Sequence, residues 1–323
     1  MRQSEVARRE IEAAFIFRNI GQTRGASAIP SPHHPIPPEH FPREGGLALD
    51  AHRAHRSEDQ VNRRAAPMGA SHMKRIKVIL PVPLPPFALE NFSRQIPEGF
   101  LNPDIVTEFV APRAGASILD SYYEMTLADA FCLEAGARAE EEGFAAVCLN
   151  SMSDSGLAAL RSRLRIPVVG PGQASYALAT TLGRKFSILS MWKQWDPLYK
   201  KALREQGLEI HLASIRNIDV RPDGEQLLAG KEDIVFEKLR QAALRAIEDD
   251  GADVLILGST TMYQSHAYLS RILPVPVINP GLVALKLCEA LLALSLSHSK
   301  VCYRSPESLN DSLLSSVPQV KFS

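Results

Sequence analysis

Glu248-Asp249-Asp250-Gly251-Ala252-Asp253-Val254-Leu255-Ile256-Leu257-Gly258-Ser259-Thr260-Thr261 is the stretch whose reading decides the fold. It reads as a helix end, a tight glycine turn, a buried aliphatic strand, and a cluster of hydroxyls where the strand stops. The same order occurs earlier as Glu140-Glu141-Glu142-Gly143-Phe144-Ala145-Ala146-Val147-Cys148-Leu149-Asn150-Ser151-Met152-Ser153. In both copies a serine lies eight residues after the glycine. Both copies also run on to a second shared phrase, Ile166-Pro167-Val168-Val169-Gly170-Pro171-Gly172 and Val275-Pro276-Val277-Ile278-Asn279-Pro280-Gly281. This repetition predicts two similar lobes, with Ser151 and Ser259 facing each other across one pocket.

The flanking segments repeat too. Lys74-Arg75-Ile76-Lys77-Val78-Ile79-Leu80 matches Arg184-Lys185-Phe186-Ser187-Ile188-Leu189-Ser190 at an offset of 110 residues, and the opening phrase repeats at 108. In the first half, strands are expected at Ile76–Leu80 and Ile105–Val110, a long helix over Asp120–Glu142, and a helix from Ser153 to about Leu164, with capping side chains in its first turn. In the second half, helices are expected over Asp196–Gln206, ended at Gly207, and over Asp233–Asp250, Tyr263–Leu273 and Leu282–Leu296, with strands over Leu208–Arg216 and Val275–Ile278. Short, nearly all-apolar strands alternating with helices mean parallel sheets covered on both faces. The fold class is therefore α/β: two similar Rossmann-like lobes related by a pseudo-twofold axis. The site is expected in the interlobe cleft, at the carboxyl ends of the strands. The expected boundaries are residues 73–172 plus 282–306 for the first lobe, 173–281 for the second, and 307–323 for an irregular tail.

Residues 1–72 differ in character. They hold seven prolines and six of the nine histidines, with little apolar periodicity after Asn19. Apart from a short amphipathic helix over Ile11–Ile20, such a segment cannot bury enough surface to offset its ordering entropy. A disordered extension or a mis-assigned start is expected, with Met73 a natural beginning and Met68 a second candidate. No function is placed there.

Lys plus Arg and Asp plus Glu both number 36, so the balanced charge argues against nucleic acid or an anionic membrane surface as a partner. No apolar run approaches the roughly 18 residues of a membrane span. Cys132, Cys148, Cys288 and Cys302 are far apart and carry no metal-ligand spacing, so no metal is expected. A reducing, cytoplasmic setting fits.

Hydroxyls and free backbone N–H groups at a helix start favour an anion. Two such ends facing each other would hold a small carboxylate or a planar polar ring. Asn150, Ser153, Thr260 and Thr261 add donors and acceptors at the same place. For Ser153 and Asp154, simple helix capping is an equally good reading.

From Lys74 to about Pro306 the chain resembles the aspartate/glutamate/hydantoin racemase superfamily, most closely its hydantoin-racemase branch. The carrying segments are Ala114-Gly-Ala-Ser-Ile-Leu-Asp-Ser-Tyr-Tyr-Glu124, Ser151-Met-Ser-Asp-Ser-Gly-Leu157, Ile166–Gly172, Leu182-Gly-Arg-Lys-Phe-Ser187, Gly251–Ser259 and Val275–Gly281. The resemblance implies a two-lobed plan whose last helix returns to the first lobe. It implies no cofactor, and one cysteine per lobe exchanging a proton at a carbon acid from opposite faces. The motif Cys-x-x-Asp-Pro-Gly falls on Ser151-Met152-Ser153-Asp154-Ser155-Gly156, and the second motif, Gly-Cys, on Gly258-Ser259. Both thiols are therefore replaced by hydroxyls. Cys148 is no substitute, since it lies three residues earlier in a strand whose side chains alternate between faces.

That replacement matters chemically. A thiol has a pKa near 8.5, and a helix N-terminus lowers it readily. A serine hydroxyl is far less acidic and needs a partner base. His266, about two turns along the following helix, is expected to point away from the pocket, and Glu124 is the other titratable candidate. The loop Pro81-Val82-Pro83-Leu84-Pro85-Pro86 offers almost no side-chain donors where the family pattern often has Asn and Thr. Its counterpart is Ser190-Met191-Trp192-Lys193-Gln194-Trp195, whose tryptophans form either a lid or wall, or a packing surface between lobes or subunits. Ser151 and Ser259 are thus the candidate catalytic residues. Asn150, Met152, Ser153, Pro81, Gly258, Thr260, Thr261, Ser190 and Trp192 are the candidate substrate-binding residues.

Three functional readings stand. One is a cofactor-independent racemase or epimerase of a small carbon acid such as a 5-substituted hydantoin or amino-acid derivative. Another is a lyase or hydrolase in which the serines bind and polarise. The last is a non-catalytic small-molecule-binding homologue. The expected partner is a small carboxylate or hydantoin-like ring, and a homo-oligomer is compatible with the sequence.

Overall fold

The chain was analysed as a computed structural model, which describes residues 73–222 and 232–322. The extension expected over residues 1–72, and its helix over Ile11–Ile20, lie outside the described residues. Strand β1 (Lys74–Ile79) pairs in parallel with β2 (Ile105–Val110) and with β3 (Ala146–Leu149), and β3 pairs with β4 (Val168–Val169). In the second half, β5 (Phe186–Ser190) pairs with β6 (Leu212–Asn217) and β7 (Val254–Leu257), and β7 pairs with β8 (Val277–Ile278). The sheet orders are β2-β1-β3-β4 and β6-β5-β7-β8, so equivalent strands hold equivalent places. The repeat read from the sequence is therefore a repeat of topology.

Gly143 and Gly251 each take a positive φ, 79° and 71°, at the turn into β3 and β7. An L side chain is strained in that region, which explains a glycine at this point in both copies. β3 and β7 follow, fully buried in the centres of their sheets. Their alternating side chains serve two faces. Val147 and Leu149 pack with Cys132 of α2 (Tyr122–Gly136) and Leu160 of α3 (Leu157–Arg163). Leu255 and Leu257 pack with Leu239, Ala242 and Ala246 of α6 (Glu232–Glu248) and Leu269 of α7 (Tyr263–Ile272).

The opposite faces are covered by the helices that open on the second shared phrase. α4 (Pro171–Leu182) and α8 (Pro280–Ala293) both begin on proline, whose fixed φ suits a first helical turn. Tyr176 of α4 stacks on Phe186 of the second lobe, with ring centroids 5.7 Å apart, and joins a core with Ile256 and with Tyr199 of α5 (Asp196–Gln206). Ala284, Leu285 and Cys288 of α8 pack on Ile76, Val78, Ala146 and Cys148 of the first lobe. The last long helix thus returns to the first lobe.

Four local readings are corrected. The proline-rich loop ends where Pro86 opens a helix, α1 (Pro86–Ser93). The helix expected over Asp120–Glu142 stops at Gly136 and gives way to turns. The strand expected from Leu208 starts at Leu212, after a short 3-10 turn. The tail carries a short helix, α9 (Asp311–Ser315), and is tied to the first lobe, where the Arg113 guanidinium donates to the Ser315 carbonyl at 2.8 Å.

Candidate active site

The two strand ends meet. The Thr260 hydroxyl, just beyond β7, donates to the carbonyl of Asn150, just beyond β3, at 3.1 Å. Ser151 and Ser259 stand beside this bond and line one cavity of about 1070 Å³. Their local geometry is almost the same. Ser151 Oγ accepts the Ser153 N–H at 3.3 Å and lies 2.8 Å from the Ser153 hydroxyl. Ser259 Oγ accepts the Thr261 N–H at 3.2 Å and lies 2.8 Å from the Thr261 hydroxyl. Each is a serine turn in which the hydroxyl bonds the backbone two residues on.

Asn150, Met152, Pro81, Gly258, Thr260 and Thr261 line the same cavity as the two serines. Asn150 is buried, and neither atom of its side-chain amide has a hydrogen-bond partner among the described residues. Gly258 leaves no room for a side chain, because a Cβ there would lie 2.7 Å from the Tyr199 hydroxyl and 2.8 Å from the Leu189 carbonyl.

Three of the residues expected in the pocket lie elsewhere. Ser153 lines a second, small space with Ser155 and Asp129, because its side chain turns along the loop to the Ser155 hydroxyl, 2.7 Å away. Ser190 is fully buried behind the wall, bonded to the Trp192 carbonyl and the Tyr199 hydroxyl, each at 3.2 Å. Trp192 packs into the core of the second lobe, with the Arg221 guanidinium over its ring. The neighbouring Trp195 takes the wall position, and its indole N–H donates to the Ile118 carbonyl at 2.9 Å.

That carbonyl belongs to a loop held by Glu124, whose Oε2 accepts the N–H groups of Ser117, Ile118 and Leu119 at 2.6–3.1 Å. Burial raises the Glu124 pKa, but these three bonds outweigh it and hold the carboxyl below its ordinary value. Glu124 is therefore a structural anion and not a base. The spacing Ser121-x-x-Glu124 is a capping-box signature that could have revealed this, and Ser121 does cap α2. His266 contacts the Val277 carbonyl at 3.0 Å, away from the cavity. Asp154 does not cap the helix that follows it. Its two oxygens accept the Gly172 and Gln173 N–H groups at the start of α4, at 2.8 and 2.7 Å. Burial pushes its pKa up to about 7 despite those two bonds.

Among the described residues no histidine, aspartate or glutamate lines the cavity, and two arginines, Arg94 and Arg221, do. Sequence reasoning missed both arginines, together with Asn91 and Phe92 of α1, because no motif marks them. Cys148 lies in the core, and contact with Cys288 together with burial pushes its thiol pKa far up, so it takes no part in the cavity. No group of three or more His, Cys, Asp or Glu among the described residues is arranged to hold a metal ion. No helix among them is long and apolar enough to cross a membrane.

The fold and the cleft define a two-lobed α/β protein with a cavity between the carboxyl ends of two parallel sheets. Comparison with known proteins narrows this. A family model described as Asp/Glu/Hydantoin racemase matches residues 89–288, and the chain belongs to that family. A hydantoin racemase from Pseudomonas sp. (strain NS671) is 30% identical over 199 residues, which is 61% of this chain and 79% of that protein. Another from Paenarthrobacter aurescens is 31% identical over 201 residues, 61% and 83% of the two chains. The solved structure of allantoin racemase from Klebsiella pneumoniae superposes with a TM-score of 0.67 at 29% identity, covering 73% of this chain and 95% of its own.

Proposed function

We propose that the chain racemises or epimerises a small carbon acid, a 5-substituted hydantoin or a related amino-acid derivative, with Ser151 and Ser259 as the proton-transferring groups on its two faces. The observation that carries this is the pair of equivalent serine turns on one cavity. A stereocentre held between two such hydroxyls can lose its proton to one face and regain one from the other. The resulting planar carbanion carries charge on an adjacent carbonyl, and Arg94 and Arg221 supply positive potential in the cavity. The side-chain amide of Asn150, one acceptor beside one donor pair, matches the paired C=O and N–H of a ring amide. The scheme uses no cofactor. Four unpaired cysteines support a reducing, cytoplasmic setting, and the exposed Leu287 of α8 and Leu294 at its end support self-association.

The test follows single enantiomers of 5-methylhydantoin, 5-benzylhydantoin and allantoin in deuterated buffer, by polarimetry and proton NMR, against enzyme-free controls. The expected result is loss of optical rotation with deuterium at the stereocentre. Racemisation should fall roughly 10²- to 10⁴-fold in Ser151→Ala and in Ser259→Ala, the range of one general acid–base group. Product formation without exchange would instead identify a lyase or hydrolase. Thermal stabilisation by the same compounds with no turnover would identify a binding protein.

A further inference from the structure

We propose that Asp129 is the proton acceptor for Ser151, reached through the hydroxyls of Ser153 and Ser155, and that Asp129 and Ser155 are therefore positioning residues of the reaction. This rests on the reading of Ser151 as a proton-transferring group. Ser151 Oγ lies 2.8 Å from Ser153 Oγ, and Ser153 Oγ lies 2.7 Å from Ser155 Oγ. Each contact can be donated from either side, so the row of hydroxyls can pass a proton in either direction. The row leaves the substrate cavity and ends at a second space of about 10 Å³, lined by Ser153, Ser155, Asp129 and Lys201 among others. That volume matches one water molecule. One Asp129 oxygen accepts the Gly156 N–H at 2.9 Å, and no described residue donates to the other.

Burial raises the Asp129 carboxyl above its ordinary pKa, against the Gly156 N–H and the positive charge of Lys201, while Glu205 raises it further. Lys201 and Glu205 face it from α5 as an ion pair at 3.0 Å, and the buried Cys132 thiol is its neighbour on α2. A carboxylate made more basic by burial, beside a hydroxyl row, supplies the base that a serine lacks. Among the described residues the second lobe has no equivalent, since Ser259 meets Thr261 and no hydrogen bond continues from there to a carboxylate.

In the step at this face one C–H bond breaks and one carboxyl O–H bond forms. The substrate proton moves to Ser151 as its own moves to Ser153. Ser153 passes one to Ser155, and Ser155 passes one through a water to Asp129. The electron pair stays on the substrate as the enolate. Ser259 reprotonates the other face and takes its replacement from solvent. The hydroxide so formed is neutralised when Asp129 returns its proton.

The experiment measures initial deuterium uptake by each enantiomer of 5-methylhydantoin, 5-benzylhydantoin and allantoin separately, over a pH series, for the full chain and for Asp129→Asn and Ser155→Ala. Asparagine keeps the acceptor for Gly156 and loses the base. The expected result, read on deuterium taken up with retention of configuration and so from one face only, is at least a tenfold fall for one enantiomer in both variants and less than a twofold change for the other. The acidic limb of the first enantiomer's pH profile should disappear in Asp129→Asn. Equal falls of this retained-configuration exchange for both enantiomers, as a structural role would give, would overturn the proposal, as would no change in either. Absence of exchange in the unaltered chain would instead overturn the assignment of Ser151 and Ser259, and this relay with it.

Discussion

Replacing Thr260 by valine tests the contact that joins the two halves of the site. Thr260 is 2% exposed and Asn150 3% exposed, so water cannot replace the hydroxyl that the Asn150 carbonyl loses. Leaving a buried acceptor without its donor costs about 1–3 kcal/mol. Valine is similar in size and opens no large cavity, and its extra buried methyl offsets roughly 0.8 kcal/mol. The net loss expected is about 0.2–2 kcal/mol, which for a domain of this size lowers the melting temperature by up to roughly 8 °C. Urea unfolding should show a lower midpoint with an unchanged slope. Thr260→Ser keeps the hydroxyl and is expected to lose clearly less. A valine variant no less stable than the unaltered chain, or a serine variant as weak as the valine one, would refute the reasoning.

Gly258→Ala should destabilise by about 1–3 kcal/mol through overpacking, because its Cβ meets the Leu189 carbonyl, which cannot swing aside, and a thermal melt would show it. Asp154 has a raised pKa in the folded chain, so its contribution to stability is fully present below pH 3.8 and is lost as pH rises towards about 7. Asp154→Asn should therefore flatten the stability profile across that window, where the slope from this group is at most about 1.4 kcal/mol per pH unit. Denaturant midpoints at several pH values between 4.5 and 7.5 measure it.

The sequence was informative wherever a physical constraint is local and repeats. Glycine at a positive φ, a strand with both faces covered and a proline at a helix start each leave a signature in consecutive residues, so β3, β7 and their glycine turns were legible twice. The capping spacing Ser121-x-x-Glu124 was legible too but was passed over. The helix α1 was hidden by the prolines before it, because proline punctuates loops and opens helices alike. Side-chain direction past a strand end was not legible. Ser153 and Asp154 look like caps for their own helix, yet one turns along a hydroxyl row and the other reaches the N-terminus of α4, eighteen residues away. Trp192 and Trp195 are alike in sequence and both pack against the second-lobe core, and only the bond from the Trp195 indole to the Ile118 carbonyl places one of them in the wall.

By itself, then, the sequence determined two parallel-sheet lobes and the place where Ser151 and Ser259 stand, since periodicity and turn chemistry act over a few residues. Tertiary structure alone decided what surrounds those hydroxyls. Arg94 comes from the residue that ends α1, Trp195 from beyond β5, and Asp129 from α2, more than twenty residues of chain before the serines it lies near. Such neighbours are brought together by the packing of distant segments, and that packing leaves no mark in the local order of residues.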